Sequence, residues 1–204
     1  MKAIILICLF LMGNLCAAEA QVVKDPLLDY YQVITKPGFF HQNSDPAFAY
    51  SSETPLICFE ANFTESNRKS FFITDRGQKL GPHGKYAWTI YVPLESGGYR
   101  MVPNASDEIQ AGVNGPAYIG YIDQLKRYGI VDGDRDSVTA YYLDNGVIQS
   151  QDLDEKRDHA NERYHPKYFG PNSEERHLTT YTLAQLAQKY GHPNPTNIIT
   201  PVPK

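Results

Sequence analysis

The dipeptide Asn145-Gly146 stands between two β-rich runs, TAYYLD at 139–144 and VIQSQ at 147–151. A two-residue type I′ turn needs positive φ at both central positions, and Asn-Gly meets that need with little strain, so the pair specifies an antiparallel hairpin. The register follows from the turn. Asp144 faces Val147, Leu143 faces Ile148, Tyr141 faces Ser150, Thr139 faces Asp152 and Ser137 faces Asp154. Any fold for this chain has to hold an antiparallel sheet in its C-terminal half.

The same register gathers charge. Asp132, Asp134 and Asp136 precede the first strand, and Asp152 and Asp154 end the second, so these carboxylates meet at the open end of the hairpin. Asp144 lies at the turn, about 26 Å away along a strand that rises about 3.3 Å per residue. Asp132, Asp134 and Asp136 match positions 1, 3 and 5 of an EF-hand loop. Position 6 is Ser137 in place of glycine, position 12 is Leu143 in place of glutamate, and a strand follows where a helix belongs. An EF-hand is excluded. Crowded carboxylates still need neutralising, either by a hard cation with oxygen ligands or by the neighbouring Arg135, Lys156 and Arg157. Calcium is thus the candidate cofactor, with Asp132, Asp134, Asp136, Asp152 and Asp154 as candidate ligands, and a self-neutralised acidic turn is the alternative.

The chain begins as an export signal does. Lys2 precedes the apolar run AIILICLFLMG, which is too short to span a bilayer, and Ala18-Glu19-Ala20 is a small-x-small cleavage site. Residues 1–20 are read as a cleaved signal peptide, with Gln21 as the first mature residue and a secreted or periplasmic destination. Leu15 before Cys16 is too bulky for a lipoprotein cleavage site. Cys8 and Cys16 leave with the leader, so Cys58 has no internal disulfide partner, and the fold must rest on its apolar core. Lys2 and Glu19 leave together, so the formal charge stays at −4. With no basic cluster, a nucleic-acid partner is not expected, and no later stretch is long and apolar enough for a membrane span.

The remaining segments predict an α+β fold, an antiparallel meander plus the Asn145-Gly146 hairpin packed with a few short helices. Asp25-Pro26 is an N-cap with proline in the first turn, placing Leu27, Tyr30, Tyr31 and Ile34 on one helical face. PLICFEANF, KSFFITDRG, KYAWTIYVPLE and GGYRMVP are β-rich and separated by turn residues, which makes the meander. GPAYIGYIDQLKRYG reads as a helix, with Tyr118, Ile122 and Leu125 on one face and Gly129 as its C-terminal stop. Thr182 with Gln185 forms a capping-box pattern that opens LAQLAQKY and ends at Gly191. A single domain is expected over residues 21–192, with a Ser/Asp/Asn/Pro-rich loop from Pro37 to Pro55 and an extended tail at 193–204.

Other chemistry-bearing residues carry weaker patterns. Glu155, His159 and Glu162 fall at i, i+4 and i+7, with His165 beyond, but a charged run of this kind is the pattern of a solvated helix, and no H-E-x-x-H motif occurs. Cys58 sits in an apolar strand pattern, where a thiol is structural. No G-x-S-x-G, P-loop or zinc-finger spacing is present. Asn62 and Asn104 head N-x-S/T sequons that only a eukaryotic host would use. The 15 tyrosines suit both half-buried sheet faces and binding surfaces. The tetrapeptide SGGY, Ser96 to Tyr99, resembles the S-G-x-Y/F signature of exported bacterial lysozyme inhibitors; the resemblance implies a β-rich inhibitor with Ser96 and Tyr99 in the inserting loop. The sequence therefore predicts an exported binding protein with a protein or glycan partner and no catalysis. A calcium-dependent hydrolase and a lysozyme-inhibitor-like protein are the alternatives.

Overall fold

The computed structural model describes residues 21–36, 52–75, 79–80, 85–112, 115–116, 118–133, 138–153 and 177–192. In chain order the elements are α1 (Pro26–Ile34), β1 (Pro55–Ala61), β2 (Ser70–Asp75), β3 (Lys79–Leu80), β4 (Lys85–Ala87), β5 (Thr89–Pro93), β6 (Tyr99–Met101), α2 (Ala105–Glu108), β7 (Gln110–Ala111), β8 (Tyr118–Ile122), β9 (Arg127–Gly133), β10 (Val138–Asp144), β11 (Val147–Asp152), β12 (Thr179–Thr182) and α3 (Leu183–Tyr190). The class is α+β with antiparallel sheets, as the sequence predicts. No helix among the described residues is long and apolar enough to cross a membrane.

Three layers stack. The larger sheet runs β12-β1-β2-β5-β6, and its alternating side chains serve two cores. Leu56, Cys58, Ile73 and Tyr91 face the helices, where Leu27, Tyr30, Tyr31 and Ile34 of α1 and Leu183, Leu186 and Ala187 of α3 bury against them. Ile57, Phe59, Phe72, Trp88, Ile90 and Val92 face a four-stranded sheet, β11-β10-β9-β8, whose Ile119 and Ile130 complete that core with Tyr141, Leu143 and Ile148 at its margin. A small sheet, β3-β4-β7, lies beside them. It arises because KYAWTIYVPLE is not one strand. At Trp88 the chain changes sheets, and the Trp88 N–H donates to the Ile109 carbonyl at 3.0 Å.

Local signals act as expected at both long helices. The Asp25 carboxylate accepts from the N–H groups of Leu27 and Leu28, and the Thr182–Gln185 capping box is formed on both sides, with Gly191 left-handed at φ 70°. The hairpin register is also as derived: Asp144↔Val147, Leu143↔Ile148, Tyr141↔Ser150 and Thr139↔Asp152. Ser137 and Asp154 lie outside the described residues.

One expectation is overturned. The segment from Gly115 to Gly129 is not a helix; Tyr118–Ile122 and Arg127–Gly133 are the paired strands β8 and β9, joined by a turn at Asp123–Lys126 in which Lys126 has φ 53°. A spacing of four satisfies a period of 2 as well as one of 3.6, so Tyr118 and Ile122 share a strand face just as they would a helix face. They do cluster with Leu125, as part of a sheet face with Val131, Ala140 and Leu153. β-Branched and aromatic side chains with a cross-strand partner decided the outcome. Gly129 is no helix stop. It pairs with Gly120 across the ladder, under side chains that fold over both.

Candidate functional site

The single turn α2 leads into the short strand β7 and lies against β4, β5 and β11. Asn104 opens α2 in the left-handed region, φ 61°, and its carbonyl accepts from the N–H groups of Asp107 and Glu108 at 3.0 and 3.1 Å. The turn leaves both acidic side chains exposed while Ala105, Ile109 and Ala111 bury in the core. The Gln110 side-chain N–H donates to the Asp107 carbonyl at 3.2 Å. Across from them, β9 and β10 bring Ile130, Asp132 and Tyr141 to the inner face of their sheet, since residues of equal parity share a side.

Between these walls lies a pocket of about 300 Å³, lined by Asp107, Glu108, Ile109, Gln110, Ala111, Pro116, Ile130, Asp132 and Tyr141. Its lining is mostly polar, with Asp107, Glu108 and Asp132 as acidic residues and Tyr141 as a phenol. No basic side chain among the described residues lines it. Next to Asp132 in the ladder stands Thr139, and opposite Thr139 stands Asp152, whose carboxylate accepts from the Thr139 hydroxyl at 3.0 Å.

Of the five carboxylates the sequence singles out, Asp132 and Asp152 are placed by the fold in one row on strands either side of β10, Asp152 by the hairpin register and Asp132 by the pairing of β9 with β10. Asp134, Asp136 and Asp154 lie outside the described residues, as do Glu155, His159, Glu162 and His165. Among the described residues no three His, Cys, Asp or Glu side chains stand close enough together to hold a metal ion. Asp107, Glu108 and Tyr141 were not singled out in the sequence. Asp107 and Glu108 lie more than twenty residues before Asp132, and the tertiary fold brings the three to one pocket.

The SGGY segment forms the turn between β5 and β6, with Gly97 and Gly98 at φ 94° and 72°. Ser96 is exposed at its tip. Tyr99 is held: Phe71 packs edge-on to its ring at 6.2 Å, the Arg68 guanidinium lies 4.7 Å from the ring centre, and Arg68 donates to the Gly98 carbonyl at 3.1 Å. Val23 bonds to Tyr99 from the other side, N–H to carbonyl in both directions at 2.7 and 2.8 Å.

Cys58 has 4% of its surface exposed. Burial pushes its thiol up to about 11, against a partial pull downward from Lys189 and a push upward from Glu60. It is a protonated core thiol at neutral pH, which removes the basis for thiol hydrolysis. Comparison with known proteins finds no match: no family model, no curated protein and no solved structure is similar enough to this chain to assign it a family.

Proposed function

We propose that this chain is an exported protein that acts by binding, and that the pocket between α2 and β9–β10 receives a cationic side chain of a protein partner. The observation that carries this reading is the lining itself. Asp107, Glu108 and Asp132 line the pocket together with Tyr141, and no lysine or arginine among the described residues is part of that lining. A guanidinium or ammonium group matches this mostly polar lining, because its charge suits carboxylates and an aromatic ring. At about 300 Å³ the pocket is at the low end of ligand sites, the size for one side chain. Export is supported by the leader-like residues 1–20.

The test is fluorescence anisotropy with a labelled hexa-arginine peptide at low salt. Binding is expected to weaken as salt rises and to fall at least tenfold in the Asp107→Asn/Glu108→Gln/Asp132→Asn variant, with the fold checked by circular dichroism. Equal binding by wild type and variant, or none, would sink the proposal. A second reading, a calcium-binding site at the open end of the hairpin, is favoured by the shared row of Asp132 and Asp152. Calcium at a hundred times its dissociation constant would then stabilise the fold by about 2.7 kcal/mol. Asp152→Asn would remove that gain and Asp144→Asn would not. Absence of any shift in melting temperature at millimolar calcium ends that reading.

A further inference from the structure

Residues 21–25, before α1, run antiparallel to the outer edge of β6, and among the described residues only one pair is joined. Val23 exchanges both backbone hydrogen bonds with Tyr99, is 7% exposed and belongs to the helix-side core. Val22 lies over Gly98, where an added Cβ would come within 2.8 Å of its side chain, yet Val22 itself is 55% exposed. In this register the next bonded pair would be Gln21 with Met101. It does not form. Gln21 is exposed and makes no hydrogen bond among the described residues.

We propose that Gln21 is a modification site. Released as an N-terminal residue by cleavage after Ala20, it closes into a pyroglutamyl lactam. The inference rests on the export reading above. In the ring closure the α-amino nitrogen attacks Cδ of its own side-chain amide. The N–Cδ bond forms, the Cδ–Nε2 bond breaks, a proton passes from the α-nitrogen to the departing nitrogen, and ammonia leaves. No oxidant, reductant or second substrate is needed. Two groups on one residue react at the high effective concentration of an intramolecular five-membered closure. An α-amino group with an ordinary pKa of about 7.7–8.0 is partly uncharged at neutral pH, as the attack requires.

The fold permits the reaction without loss. The side chain has to curl back on its own nitrogen, which a residue bonded into the sheet could not do, and the anchoring bonds begin two residues later at Val23. The product puts a neutral ring, in place of an ammonium, at the end of the strand that covers the SGGY turn. It also closes the chain to aminopeptidases.

The experiment is mass spectrometry and stepwise N-terminal degradation of the full chain recovered from the exported fraction. The expected N-terminal peptide starts at position 21, is lighter than its unmodified form by one ammonia, and yields no degradation signal until a pyroglutamyl aminopeptidase removes the first residue. The Gln21→Ser variant should melt at the same temperature and degrade freely from its first residue. An open Gln21 amine after prolonged incubation of the folded protein at neutral pH would overturn the cyclisation and leave the cleavage standing. An N-terminus at another position would overturn both. A block that persists in the serine variant would show that the lactam is not its cause.

Discussion

Three phenols bind α1 to its surroundings, each through a carboxylate. Tyr30 donates to Asp75 at 2.7 Å, Tyr91 to Asp29 at 2.9 Å and Tyr190 to Asp25 at 2.9 Å, so that β2, β5 and α3 each hold the helix by one bond. Burial, then the adjacent carboxylate, raises the pKa of Tyr30 and Tyr91; Tyr190 is raised by burial, then by its bond to Asp25 and that group's charge. A folded value above the unfolded one near 10 means that the stabilisation is complete below pH 10 and is lost as pH rises through the folded values. Denaturant melts should therefore be level from pH 7 to 8, begin to decline near pH 9 as the contribution of the buried Cys58 thiol is lost, and fall further above pH 10, with these phenolates appearing only on unfolding; phenolate absorbance from all the tyrosines in the native state would contradict this. Tyr30→Phe takes one bond from a buried carboxylate and should cost about 1–3 kcal/mol. Glycines supply a sharper contrast. A Cβ at Gly129 would meet the Tyr141 carbonyl at 2.6 Å and the Ile122 side chain at 2.8 Å, whereas at Gly120 the close atom is the Tyr118 hydroxyl at 2.9 Å, a side-chain tip and not backbone, though one that donates to the Tyr121 carbonyl. Gly129→Ala should destabilise by about 1–3 kcal/mol and Gly120→Ala by less, as chemical denaturation can measure.

At the scale of elements, the segments that match expectation carry their own end signals. The Thr182 hydroxyl accepts from the Gln185 N–H at 3.1 Å, and the Gln185 side chain accepts from the Thr182 N–H at 2.8 Å. Thr182→Ala should therefore cost about 1 kcal/mol, read as a lower midpoint with an unchanged slope. The Asn145-Gly146 turn has φ 48° and 85°, and the Arg100 guanidinium from β6 fills the place a Cβ on Gly146 would take. Gly146→Ala thus meets two costs, an unfavourable backbone region and a displaced arginine, and should destabilise by more than the roughly 1 kcal/mol of the backbone effect alone. An effect no larger than that would show that Arg100 yields freely. Strands β8 and β9 have no such end signals. Gly129 resembles a helix stop, and the four-residue spacing of Tyr118 and Ile122 fits either geometry, so the choice rested on whether a neighbouring strand was there to pair with.

For the whole molecule, the single tryptophan is the reporter. Trp88 is fully buried where the chain passes between sheets, 5.1 Å from the Phe59 ring and in the core shared by both large sheets. If residues 21–192 fold as one domain, Trp88 emission and far-ultraviolet circular dichroism should change in one coincident transition; two separated transitions would divide the layers into independent units. The sequence alone determined what depends on neighbours along the chain: the capped ends of α1 and α3, the hairpin at Asn145-Gly146 and its register, the meander strands and the core thiol Cys58. These follow from φ preferences, hydrogen bonds across three or four residues, and period-2 burial, all of which are local. Only tertiary structure decided that 115–129 is a hairpin, that Trp88 splits one β-rich run between two sheets, that β12 extends the larger sheet beside β1, and that Asp107 and Glu108 meet Asp132 across a pocket. Each of these depends on which distant strand supplies a partner for exposed backbone groups and a cover for an apolar face. That pairing is set by the collective burial of the cores, and no short segment encodes it.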